Sequence, residues 1–343
     1  MQSSLLPGVR ARDLGIRIGA LEPGPLDAIT DVAGIRVGHV TLIEGTDVRT
    51  GVTVVVPPEL PLFAGCHRLN GNGELTGLEW VRESGFLTTP IGITNTFSVG
   101  VVRDAIAAES SDDDAWALPV VGETYDGFLN DAKGQHVTAG HTRRALAEAS
   151  AGPVAEGNVG GGTGMICHGF KGGIGTASRK AGDHVVGVLV QANHGRRSRF
   201  RLNGIPVGER IGDRIRTPNY DDAGSIIGIV AADAPLLPHQ CDRLAQRAGL
   251  GVARMGGMGE NSSGDLFFAF SSGNRALGSP DAKLDVSMLP NERIDPLFEA
   301  VVDATEEAIL NALLAAETMT GRAGHTAFAL DPDALLETLT TRA

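Results

Sequence analysis

Five polar positions could together carry acyl transfer. Ser225 follows Gly224 and opens the run Ser225-Ile-Ile-Gly-Ile-Val-Ala, small and β-branched, which reads as a buried strand entered from a polar turn over 217–224. Glycine takes backbone angles closed to other residues. A Gly-Ser junction at a loop–strand boundary can therefore be strained so that the serine hydroxyl attacks its own preceding carbonyl. A cut there would leave Ser225 as a new N-terminus. Its α-amine, with an ordinary pKa of about 7.7–8.0, would then act as base for its own hydroxyl, the logic of N-terminal nucleophiles. Acyl transfer also needs donors aimed at the developing oxyanion. Asn193 and Tyr125, each placed where a strand meets a loop, are neutral donors suited to that task. Ser263 and Asp265 would hold the amine and hydroxyl of Ser225, with Asp265 stabilising the protonated amine. Singly, each has a plainer reading: Asn193 as a turn cap, Tyr125 as a half-buried core residue, and Ser263-Gly-Asp265 as a turn signature. Only together do the five point to acyl transfer.

Other chemistries are less well supplied. His39, His168, His184 and His194 are scattered and read as structural or surface residues, which disfavours a Ser-His-Asp triad, and no G-x-S-x-G surrounds Ser225. The glycine-rich run 158–178 suggests a phosphate loop, but it lacks the G-x-x-x-x-G-K-[ST] order, so close packing of sheets is the better account. No CxxC or clustered histidine spacing points to a metal, and no cofactor is expected.

Those residues need rigid elements to present them. Strands are predicted at 51–57, 91–96, 118–124, 184–193, 225–231 and 266–271, and a strand pair with a glycine turn at 29–41. Helices are predicted near 75–83, 101–109, 141–151 and 237–248, then a long one capped by Asp295 with Pro296 at its first helical position, and a last one over 332–340. Residues 62–100 read otherwise as glycine-rich loop. The order is not a regular βαβα alternation, so stacked sheets covered by helices fit better than a doubly wound parallel sheet. No internal repeat or long linker divides the chain, and 343 residues suffice for one large domain.

Composition narrows the class further. A net charge of −12 and the absence of a long Lys/Arg run argue against nucleic acid as a partner. Cys66, Cys167 and Cys241 are far apart and odd in number, which fits a reducing cytoplasm better than a disulfide framework. The N-terminal stretch carries no apolar core of a signal peptide, and no apolar run reaches the roughly 18 residues a membrane span needs. A cytoplasmic protein without membrane contact is expected.

With these residues assembled, the chain resembles the L-aminopeptidase/D-amidase-esterase family, which includes the β-aminopeptidases. The matching stretches run nearly end to end: Ile29-Thr-Asp-Val-Ala-Gly-Ile-Arg-Val-Gly-His, Gly122-Glu-Thr-Tyr-Asp-Gly, Asn158-Val-Gly-Gly-Gly-Thr-Gly-Met, Phe170-Lys-Gly-Gly-Ile-Gly-Thr-Ala-Ser, Val190-Gln-Ala-Asn, Gly224-Ser-Ile-Ile and Asn261-Ser-Ser-Gly-Asp. The resemblance implies an α/β fold, a stacked α-β-β-α sandwich of the self-processing aminopeptidase and ornithine acetyltransferase type. It implies a precursor that cuts itself between Gly224 and Ser225, giving subunits 1–224 and 225–343 that stay together and oligomerise, as a tetramer of heterodimers. Ser225 then matches the nucleophile, Tyr125 and Asn193 the oxyanion-side donors, and Ser263 the second serine. Asp265 stands where some members carry glutamate. The activity implied is release of small L-, D- or β-amino acids from peptides, amides or esters. The substrate's ammonium needs an acidic partner, for which Asp112 to Asp114 are candidates, with Trp116 lining the pocket. Two alternatives stay open: an acyltransferase of the ornithine acetyltransferase type, and an uncut, non-catalytic homologue that binds a small ligand.

Overall fold

Valine-rich Val48–Val56 (β2), stopped by Pro57, pairs antiparallel with Arg36–Glu44 (β1) across a tight turn. In chain order, the computed structural model continues with strands at Leu62–Gly71 (β3), Phe86–Leu87 (β4), Ile91–Asn95 (β5), Val120–Thr124 (β6), Ile166–Cys167 (β7), Phe170–Lys171 (β8), Gly173–Ala181 (β9), His184–His194 (β10), Gly224–Ala232 (β11) and Gly264–Ser271 (β12). The helices are Leu78–Ser84 (α1), Val99–Glu109 (α2), Ala139–Ala147 (α3), Val207–Ile211 (α4), Pro238–Arg254 (α5), Asp295–Leu314 (α6) and Pro332–Thr340 (α7). The structure describes residues 8–109, 117–218, 224–279 and 283–340.

Two sheets stack face to face. The smaller runs β1-β2-β5-β6 and the larger β4-β3-β12-β11-β10-β9. Period-two alternation explains the layering. On β11, Ile227 and Ile229 point into the space between the sheets, where they meet Ile93, Val120 and Leu189. Ile226 and Val230 point the other way, into a core shared with α5 and α6 through Leu244, Ala248, Val301 and Ala308. On the outer face of the small sheet, Val52 and Val54 pack against α2 and α3 through Val102, Ile106 and Ala145. The result is the expected α-β-β-α sandwich.

Three expectations change. Ile29–Asp31 is a short 3-10 turn, because the Asp31 carboxylate takes the backbone N–H groups of Leu26 and Ala28; the strand begins only at Arg36. The 62–71 stretch is a strand of ten residues, held by antiparallel pairing with β12. Asp295 is the first residue of α6, and Ile294 occupies the cap position. The glycine-rich run 158–178 is packing rather than a phosphate cradle. At Gly175, for example, a β-carbon would stand 1.9 Å from the Ala308 carbonyl oxygen of α6, so helix and sheet meet there backbone to backbone.

Candidate active site

Ser225 lies two residues before Ile227 on β11, and so shares the face between the sheets. It sits at the end of that face, 6 % exposed, where a cleft of about 420 Å³ opens beside Gly73, Thr96, Glu123 and Tyr125. Gly224 carries φ of 62°, the left-handed region. A β-carbon on it would fall 1.6 Å from the Asn193 carbonyl oxygen, so no other residue fits before Ser225. The Ser225 hydroxyl oxygen accepts the Gly264 backbone N–H at 3.0 Å.

Asn193 is the direct ladder partner of Ser225 on β10. Its Oδ1 accepts the Ile166 N–H at 2.7 Å, which decides which end of the amide is which. Nδ2 must then face the other way, donating to the Tyr125 carbonyl oxygen at 3.2 Å and lying beside Gly224. Tyr125 lines the cleft at 40 % exposure, so it is not a half-buried core residue. Its link to Asn193 runs through the main chain, while its ring lies over Gly127.

Ser263 donates its hydroxyl proton to Asp265 Oδ1 at 2.6 Å, and both side chains are buried on either side of Gly264. β11 and β12 run parallel with Ile226 opposite Asp265, which brings the 263–265 unit to the end of the sheet where Ser225 sits. Burial pushes the Asp265 carboxyl up to about 6 against the Ser263 hydrogen bond, which favours the ion. Two contacts tie this loop to the end of β3: Asn72 N–H to the Ser263 carbonyl at 3.2 Å, and Asn72 Nδ2 to the Ser262 carbonyl at 2.7 Å.

Glu123 received no role from sequence reasoning. Its Oε1 accepts the Glu74 N–H at 3.0 Å and its Oε2 accepts the Thr96 hydroxyl. It is 4 % exposed at the cleft wall, and burial holds its carboxyl above the ordinary range. The available signal was an ionisable residue inside the apolar strand run Val120-Val-Gly-Glu-Thr124. Asp112 to Asp114 and Trp116 lie outside the described residues. The four histidines give Ser225 no triad: His39 bonds Thr53, His184 faces Asp233, and His168 and His194 are buried together on the helix side of the large sheet.

A serine hydroxyl behind a left-handed glycine, a fixed amide donor, a buried serine–carboxylate pair and a second carboxylate converge on one cleft. That set is suited to acyl transfer on a substrate with a free amine. No described helix is long and apolar enough to cross a membrane.

Comparisons with known proteins agree. The model of peptidase family S58 matches residues 27–327. The β-peptidyl aminopeptidase BapA of Sphingosinicella microcystinivorans is 48% identical over 93% of this chain and 89% of its own. A β-aminopeptidase from Burkholderia sp. superposes with a TM-score of 0.92 at 54% identity, covering 98% of this chain and all 100% of that one. The L-aminopeptidase D-Ala-esterase/amidase of Ochrobactrum anthropi, described as a prototype for the serine aminopeptidases and a variant of the Ntn hydrolase fold, gives a TM-score of 0.90. Its identity is 43%, over 96% of this chain and 98% of its own. The chain belongs to peptidase family S58, and with it to the serine aminopeptidases that share the N-terminal-nucleophile hydrolase fold.

Proposed function

We propose that this enzyme activates itself by cutting between Gly224 and Ser225, and that Ser225 then releases small N-terminal residues from peptides, amides or esters. In the uncut chain the Ser225 nitrogen is an amide and cannot serve as base. Attack of Oγ on the Gly224 carbonyl carbon forms an ester and breaks the peptide C–N bond; the nitrogen takes up the proton. Water hydrolyses the ester, leaving Gly224 as a carboxylate and Ser225 with a free amine. That amine draws the hydroxyl proton as Oγ attacks the substrate carbonyl, then passes it to the leaving amine. Water resolves the acyl-enzyme.

Asn193 Nδ2 serves as the oxyanion donor, with Tyr125 beside it. Ser263 and Asp265 orient the Ser225 amine and stabilise it when protonated. Glu123 receives the substrate's ammonium, which explains a demand for a free N-terminus. The observation that carries the reading is Gly224 in a left-handed conformation that only glycine can hold, directly before a hydroxyl that faces the cleft with a buried carboxylate. The names of the relatives support acceptance of L-, D- and β-residues. Cysteines without disulfide partners suit an enzyme of the reducing cytoplasm.

Intact mass under denaturing conditions tests the mechanism. Two species split between Gly224 and Ser225 are expected for the parent, and a single one near 35.6 kDa for Ser225→Ala. The variant should also lose hydrolysis of alanine and β-alanine p-nitroanilides. Parent-like turnover by Ser225→Ala would overturn the proposal. Turnover with water alone, no acetyl acceptor present, separates hydrolase from acyltransferase.

A further inference from the structure

Asn193 and His194 point to opposite faces of β10. While Asn193 serves the cleft, His194 enters the core on the helix side, next to Cys167 and His168 at the β7–β8 turn. The three side chains are 0–2 % exposed, and one ligand-capable atom from each lies within 4.8 Å of the others. Cys167 Sγ stands 3.8 Å from His194 Nδ1. A tetrahedral d10 metal with its sulfur at about 2.3 Å and nitrogen at about 2.0–2.1 Å holds those two atoms about 3.6 Å apart, so the separation needs almost no adjustment.

We propose that Cys167, His168 and His194 bind one soft d10 metal ion, Cu⁺ or Zn²⁺, behind the cleavage junction. His168 Nε2 is buried without a hydrogen-bond partner, an arrangement that an apolar packing role does not account for and that coordination would relieve, while His194 offers Nδ1. The Cys167 thiol gives up its proton to the solvent when the metal arrives.

Local charge bears on the choice of ion. No carboxylate belongs to the cluster. The Arg197 guanidinium donates to the His168 carbonyl. One thiolate with Cu⁺ leaves no net charge in this apolar setting, while Zn²⁺ leaves one positive charge, so Cu⁺ is expected to bind more tightly. Entry has a route. Ile166, Gly169 and Gly195, which flank the three ligands in sequence, line an open cleft of about 430 Å³. The site also touches the junction: His194 is the ladder partner of Gly224, and its carbonyl accepts the His168 N–H at 2.7 Å.

The test titrates the whole protein with Zn²⁺ against a chromogenic chelator, and anaerobically with Cu⁺ against bicinchoninate, with X-ray absorption of the loaded sample. The expected result is one equivalent per chain for at least one ion, one metal–sulfur bond at about 2.3 Å, and release of one proton. Cys167→Ala and, separately, His168→Phe should lose stoichiometric binding, while Cys66→Ser should keep it. Metal-free Cys167→Ala should retain p-nitroanilide hydrolysis, which shows that it folds. Absence of stoichiometric binding of both ions by the parent, or unchanged binding in both Cys167→Ala and His168→Phe, would overturn the proposal.

Discussion

At the scale of single residues, the site is a set of groups whose properties come from burial. Burial pushes the Asp265 carboxyl up to about 6. If its carboxylate steadies the Ser225 ammonium, it also raises the pKa of that amine, whose protonation sets the acid limb of kcat/KM; Asp265→Asn should move that limb to lower pH and lower kcat by about 10²-fold or more. For folding, a carboxyl whose folded pKa is raised costs stability once ionised. The same variant should therefore melt no lower than the parent at pH 7.5, a thermal scan being enough to check. Glu123→Gln isolates the ammonium contact. Losing a charge-assisted hydrogen bond of about 1.5–3 kcal/mol should raise KM for free-amine substrates about ten- to a hundredfold with little change in kcat. An unchanged KM would remove Glu123 from substrate recognition. Ser225 and Asp265 were legible as types of residue in suggestive places. Glu123 was not, since its role depends on Glu74 and Thr96 turning it into the cleft.

At the scale of elements, α6 is buried on nearly all sides and carries Asp303, Glu306 and Glu307 inside. Glu307 meets Arg179 of β9, both side chains 0 % exposed, and Arg12 of the N-terminal segment at 2.9 Å. Arg179 also donates to the Ile18 carbonyl at 2.9 Å, so one guanidinium ties sheet, helix and N-terminal segment together. Arg179→Ala would leave a buried carboxylate short of its partner, and a loss of about 3–5 kcal/mol is expected. Urea denaturation in the uncut Ser225→Ala background would measure it, and Arg179→Met with Glu307→Leu should recover most of the loss. Long apolar strands and the two long helices were readable from period, the second helix also from Pro296 near its start. β3 was not, because its half-buried, glycine-containing sequence becomes a strand only by pairing with β12, far along the chain.

At the scale of the whole molecule, the cut would not divide the fold. β11 and β12 belong to 225–343, yet they lie between β10 and β3 of 1–224, with α5 and α6 covering them. After processing, the two pieces should co-elute at an unchanged native size and separate only in denaturant; separation under native conditions would mean that the pieces do not share one sheet. Sequence alone determined the layered α/β class, most strand and helix positions, and the turn-to-strand setting of Ser225, since these follow from local periodicity, turn chemistry and motif order. Only the tertiary structure decided what meets what: Ser225 opposite Asn193, Asp265 beside Ile226, Glu123 across the cleft, and Cys167 with His168 and His194 behind it. The physical reason is that strand pairing and sheet stacking join residues far apart in the chain, and neither the registers nor the burial they impose is written in any single stretch.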